Sequence, residues 1–88
     1  MINKKVEIVN RAGLHTRPAA TLVKLASKFK SDFYIYQDDM SINGKSIIGV
    51  MTLCAEQGSK LTLQFEGEDE SEAAAEIEDY FKRGFDEL

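Results

Sequence analysis

Hydrophobic and polar positions change period several times along this chain, and each change predicts an element. Across residues 2–9, Ile2, Val6 and Ile8 fall on one side of a period-two pattern, with Lys5 and Glu7 on the other. That is the signature of a half-buried strand. Asn10-Arg11-Ala12-Gly13 reads as a turn, since Asn and Gly tolerate the positive φ that tight loops need. From residue 16 to 28 the period becomes helical: Leu22, Leu25, Ala26 and Phe29 form one stripe. Pro18 suits the first turn of that helix, where a missing N–H costs nothing. Residues 32–37 alternate again, with Phe33 and Ile35 on one face and Tyr34 and Tyr36 on the other. Asp38-Asp39 turns the chain into a short returning strand, Met40 to Asn43. Ser46 is placed as the N-cap of a brief helix whose stripe is Ile47, Val50 and Met51, and Gln57-Gly58-Ser59 ends that segment. Leu61, Leu63 and Phe65 alternate through a fourth strand. Asp69-Glu70-Ser71-Glu72 has the form of a capping box with Asp69 in the cap position. It leads into a helix that turns Ala73, Ile77, Tyr80 and Phe81 inward and ends near Gly84. The order is β-α-β-β-α-β-α. Strands that alternate have one buried and one wet face, so the expected class is α+β, a largely antiparallel sheet with every helix on one side.

At 88 residues the chain fits one domain, residues 1–88, with a thin core and no room for a deep cofactor cleft. Its net charge of −4 argues against a general nucleic-acid binder. The distribution says more. Residues 1–30 hold seven basic residues against Glu7 alone, a net of +6, and residues 31–88 carry a net of −10. A basic region on an acidic protein suggests a face that meets an anionic ligand or partner. Cys54, the only cysteine, excludes an internal disulfide, and its apolar neighbours predict a small buried side chain. No apolar h-region opens the chain and no apolar run approaches membrane-spanning length, so a cytoplasmic protein without direct membrane insertion is expected.

His15 is the only histidine. It lies in Gly13-Leu14-His15-Thr16-Arg17-Pro18-Ala19, after a glycine turn and immediately before a helix. The free N–H groups and dipole of a helix start form an anion site, and Arg17 adds a guanidinium suited to a phosphoryl group. A neutral imidazole nitrogen is a nucleophile. A bland alternative, a surface His acting as an imperfect cap, loses ground once Gly13, Arg17 and Pro18 stand in register with it. The second constellation is Asn43-Gly44-Lys45-Ser46-Ile47-Ile48-Gly49-Val50-Met51. Gly44-Lys45-Ser46 looks like the end of a P-loop, but that motif needs a glycine where Asp39 stands. What is left is a serine cap before a short helix with Ile48 outward. Phosphate on Ser46 would rest at a helix start beside Lys45. The acids Asp38-Asp39 and the run from Glu66 to Glu72 read as a turn and a helix start rather than metal ligands, so no metal is assigned.

The two motifs together, and their separation, resemble the HPr family, the histidine-containing phosphocarriers of the bacterial phosphoenolpyruvate-dependent sugar phosphotransferase system. The resemblance covers essentially the whole chain and departs from common family residues at Thr21 and Ser27. It implies an open-faced β-sandwich, a four-stranded antiparallel sheet in order 1-4-2-3 with three helices on one face. It implies that His15 takes a phosphoryl group on Nδ1 from phosphorylated enzyme I and passes it to a sugar-specific enzyme IIA. Arg17 and the backbone N–H groups from Thr16 onward would hold that group. Docking would fall to Thr16, Arg17, Ala20, Lys24, Ile47, Ile48 and Met51. Ser46 would be the substrate of an HPr kinase/phosphorylase, and a transcriptional regulator would be a further partner. The resemblance implies no cofactor, a stoichiometric carrier rather than an enzyme, and a monomer.

Two other readings compete. One is a purely regulatory module read by its Ser46 state, without sugar transport. The other is a small RNA-binding sheet, since β-α-β-β-α-β order also occurs there, with Tyr34 and Tyr36 as stacking candidates. The RNP1 pattern is absent and the C-terminal two-thirds is acidic.

Overall fold

The computed structural model describes residues 1–87. Its elements are β1 (Ile2–Glu7), α1 (Thr16–Ser27), β2 (Asp32–Gln37), β3 (Met40–Asn43), α2 (Ile47–Thr52), β4 (Lys60–Glu66) and α3 (Glu70–Lys82), followed by a 3-10 turn, Gly84–Asp86. The sheet has the order β1-β4-β2-β3 and every pairing is antiparallel. β4 is central because both its edges are used: Leu63 lies opposite Lys4 of β1 and Ile35 of β2. The alternation read from the sequence sets the register. Leu61, Leu63 and Phe65 point to the buried face beside Val6, Phe33 and Ile35. Phe33 and Phe65 are direct cross-strand partners, and their rings stack at 4.8 Å. Burying each such side chain contributes about 1.5–3 kcal/mol. The helices cover this face with Leu22, Ala26, Val50, Ile77 and Phe81, giving the α+β open-faced sandwich. Tyr34 and Tyr36 lie on the opposite, wet face.

Four local expectations give way. The first strand stops at Glu7, because Ile8 then pairs outside the ladder, donating to the Ser59 carbonyl at 2.9 Å. The stripe assigned to α2 is not its inner face: Val50 is buried, whereas Ile47 and Met51 are each about two-fifths exposed. Cys54 is exposed. It follows α2 with φ 48°, a left-handed kink that turns its side chain outward between buried Leu53 and Ala55. The capping box is not formed either. Asp69 makes no side-chain cap bond to its own helix. Its carboxylate instead accepts from the Ser31 hydroxyl and from the Lys30 and Ser31 backbone N–H groups, the latter two at 2.9 Å each. These bonds, the Ser31 hydroxyl first, hold the Asp69 carboxyl below its ordinary value and tie the entry of β2 to the start of α3. Glu70 reaches back to the Gly67 N–H at 3.0 Å, the reciprocal half of a box displaced by two residues.

Candidate functional site

The loop before α1 is pinned at several points. Asn10, fully buried, donates from Nδ2 to the Gly13 carbonyl at 2.9 Å, and the Gly13 N–H returns a bond to the Asn10 carbonyl at 3.3 Å. Gly13 has φ +74°, and a Cβ there would lie 2.5 Å from the Ala55 carbonyl oxygen. Leu14, also buried, donates its N–H to that oxygen at 2.9 Å. The next residue, His15, emerges exposed at the N-cap of α1 in extended conformation, and its side chain makes no capping bond. The first intrahelical bond of α1 runs from the Ala19 N–H to the His15 carbonyl at 3.0 Å. The N–H groups of Thr16 and Arg17 precede it and have no acceptor within the helix, and Pro18 has no N–H. Both Thr16 and Arg17 are exposed, and no acidic residue lies in the first turn of α1. An exposed imidazole, two free backbone donors, a positive dipole end and a guanidinium therefore share one helix start. This set of groups suits a dianionic group carried on His15.

One contact there has no counterpart in the sequence pattern. The Glu87 carboxylate lies 2.8 and 3.0 Å from His15 Nε2 and also accepts from Asn10 Nδ2 at 2.8 Å.

The second motif lies at the far end of the same face. Ser46 caps α2, its Oγ accepting from the Gly49 N–H at 3.1 Å. The Lys45 ammonium is directed elsewhere than the expected place beside Ser46: it donates to the Phe29 carbonyl at 2.8 Å, just past the end of α1. With the Leu14–Ala55 bond at the other end, α1 and α2 run side by side in opposite directions. Ser46 and His15 are thus separated by the length of α1, about 18 Å for 12 residues. Between them α1 carries Ala20, half-buried, and Lys24, exposed, one turn apart. α2 exposes Ile47, Ile48 and Met51, with Ile48 75% exposed.

The charge asymmetry is partly spent inside the fold. Lys4 pairs with Glu78, Lys28 with Glu76 and Lys30 with Glu68. Arg11, Arg17 and Lys24 make no ion pair among the described residues. Among the described residues no helix is long and apolar enough to cross a membrane, and no cluster of three metal-ligating side chains forms.

Residues 2–83 match the family model described as the phosphorylation site of the HPr component of the phosphotransferase system. The chain belongs to the HPr family. It is 46% identical to the phosphocarrier protein HPr of Treponema pallidum over 87 residues, covering 99% of each chain. The structure superposes on crystalline HPr of Thermoanaerobacter tengcongensis with a TM-score of 0.95 at 42% identity, covering 100% of this chain and 99% of the other. It also matches Crh, a catabolite-repression protein of Bacillus subtilis crystallised as a domain-swapped dimer. That match has a TM-score of 0.77 at 39% identity, covering 96% and 97%. The phosphocarrier family of the sugar phosphotransferase system is therefore established for this chain, and the sheet order implied by the resemblance is the one observed. The dimeric relative leaves the expectation of a monomer without support from the comparisons.

Proposed function

We propose that this chain, acting as one domain, relays a phosphoryl group from phosphorylated enzyme I to a sugar-specific enzyme IIA, with His15 as the carrier. The observation that carries the reading is the exposed His15 at the N-cap of α1, followed by two backbone N–H groups with no acceptor in the helix and by Arg17, on a loop pinned by hydrogen bonds among Asn10, Gly13, Leu14 and Ala55. A neutral imidazole nitrogen attacks the phosphorus, and the new group settles against the Thr16 and Arg17 N–H groups and the guanidinium. The chain is then a stoichiometric carrier acted on by enzymes and needs no cofactor. Ala20, Lys24, Ile47, Ile48 and Met51 form the docking face, basic and apolar, suited to partners with acidic-rimmed surfaces. Incubation with enzyme I and phosphoenolpyruvate, followed by intact-mass measurement, should add one acid-labile phosphoryl group. No added mass would refute the reading.

Regulation at Ser46 belongs to the same proposal. Since Ser46 lies about 18 Å from His15 along α1, its phosphate acts on the docking face rather than on the imidazole. A kinase/phosphorylase of the HPr type and a transcriptional regulator that reads the modified form are the partners this implies. Similarity to Crh supports the second reading, a module whose output is regulatory alone. Exposed His15, ready to take a phosphoryl group, favours transport.

A further inference from the structure

The segment after α3 is built to deliver one carboxylate. Gly84, Phe85 and Asp86 have φ of 63°, 58° and 61°, three consecutive left-handed residues of which two carry side chains. Such a run is strained at its two non-glycine residues and persists only where its surroundings fix it. Phe85 supplies that anchor. It is buried, with its ring 5.2 Å from Tyr80 and 5.0 Å from Phe81. The Arg83 Nε donates to Asp86 at 2.9 Å, and the Glu87 N–H closes the turn on the Gly84 carbonyl at 3.0 Å. The chain is thereby turned back so that Glu87 bridges Asn10 Nδ2 and His15 Nε2. Asn10 is fully buried, and its Oδ1 has no partner among the described residues, so its amide is oriented by the two acceptors its nitrogen serves, the Gly13 carbonyl and Glu87.

We propose that Glu87, held by Asn10, is a positioning residue for His15: it keeps the proton on Nε2, presents Nδ1 as the nucleophile and balances the charge the ring acquires. The inference rests on the phosphocarrier reading. An ionised carboxylate has no proton to give, so the nitrogen it contacts is the one that carries N–H. In the neutral ring the lone pair then lies on Nδ1. During transfer that pair forms the new P–N bond, while the bond from phosphorus to the donor atom of enzyme I breaks and its electrons stay on the donor. The Nε2 proton remains, so positive charge spreads over the ring and faces Glu87. The logic is that of a carboxylate orienting a histidine and stabilising its cationic form. Because the His15 side chain is 41% exposed and that of Glu87 23%, solvent screens the pair, and the effect is modest rather than decisive.

The test compares wild type, Glu87→Ala and Glu87→Gln. Two-dimensional 15N spectra of the His15 ring in alkaline buffer report the tautomer without any partner protein. The Nε2–H form should dominate in wild type and in Glu87→Gln, whose amide oxygen still accepts, and a mixed population should appear in Glu87→Ala. Steady-state phosphorylation by enzyme I should show kcat lowered about tenfold in Glu87→Ala, about 1.4 kcal/mol, with KM within about twofold, and partly restored in Glu87→Gln. An unchanged tautomer ratio in Glu87→Ala, or an unchanged kcat, would overturn the proposal. If wild type accepts no phosphoryl group, the carrier reading fails with the kinetic role, while the spectra still decide whether Glu87 holds the ring.

Discussion

Replacing Gly13 by alanine perturbs the site through its loop. Two costs combine there. Alanine at φ +74° sits in the left-handed region, at about 1–2 kcal/mol. Its Cβ would also lie 2.5 Å from the Ala55 carbonyl oxygen and 3.1 Å from the Glu56 Cα, both backbone, so the loop itself must move. Forcing extra atoms into such a contact costs about 1–3 kcal/mol. The sum, about 2–5 kcal/mol, is a large part of the total stability of a domain of this size. Two other glycines separate the terms. Gly58 has φ +91° and open space around its added Cβ, so alanine there carries strain alone. At Gly44 the added Cβ would lie 2.2 Å from the Phe33 ring, with no positive φ, so alanine there carries overpacking alone. Each kcal/mol lowers Tm by about 4–8 °C in a 60–100-residue domain. Gly13→Ala should therefore melt roughly 8–40 °C below wild type, and below Gly58→Ala. Movement of the loop also shifts the Leu14 N–H off Ala55 and displaces His15, so phosphorylation by enzyme I should slow even at temperatures where the variant is folded. Thermal unfolding followed by circular dichroism, beside transfer kinetics of all the proteins at one temperature well below the lowest Tm, checks both parts. Equal Tm for Gly13→Ala and Gly58→Ala would refute the claim that Ala55 confines the loop.

Further outcomes are expected at three positions. Arg17→Ala should slow phosphoryl transfer and Arg17→Lys should keep part of the rate, since lysine keeps the charge but loses the planar fork; stopped-flow transfer kinetics with equal rates would remove Arg17 from the mechanism. Phosphorylation of Ser46 should weaken association with enzyme I ten- to a hundredfold, about 1.4–2.8 kcal/mol, with Ser46→Asp weaker in the same direction. Titration calorimetry beside thermal melts reads this, and a loss explained by unfolding would count against a docking effect. Because the folded-state value of Asp69 is depressed, its contribution to stability is complete above the ordinary carboxylate value and is lost as pH falls through the folded value. Asp69→Asn should accordingly lower Tm near neutral pH and flatten its decline in acid, and parallel acid curves for the variant and wild type would contradict the Ser31 clamp.

The strands were legible because one face of the sheet is wet. A period of two must then put Phe33, Ile35, Leu61, Leu63 and Phe65 on one side, and it did. The site was legible to the extent that it is local: a glycine turn, an imidazole and a helix start are consecutive in the chain. Contacts between distant segments were not. Glu87 lies 72 residues from His15 and reads in the sequence as one more acid. Only the left-handed run at 84–86, which no residue type but Gly84 announces, brings it back. The Asp69 carboxylate is of the same kind: the sequence shows a capping residue, and tertiary contact gives it to Ser31 and Lys30, 38 and 39 residues away. Cys54 was not legible because its apolar neighbours predict burial, whereas a left-handed kink at its φ of 48° turns its side chain outward between buried Leu53 and Ala55.

The central claim is that His15 is the atom-bearing carrier, and it is tested most directly by mapping the phosphoryl group after reaction with enzyme I and phosphoenolpyruvate. Wild type and His15→Ala are labelled side by side, held at alkaline pH, and cut into peptides for mass spectrometry. The account predicts a single acid-labile modification on the peptide that contains His15 in wild type. It predicts none in His15→Ala, which should stay folded because the side chain it loses is exposed. A label of equal stoichiometry in His15→Ala, or one that maps to any other residue in wild type, would contradict it.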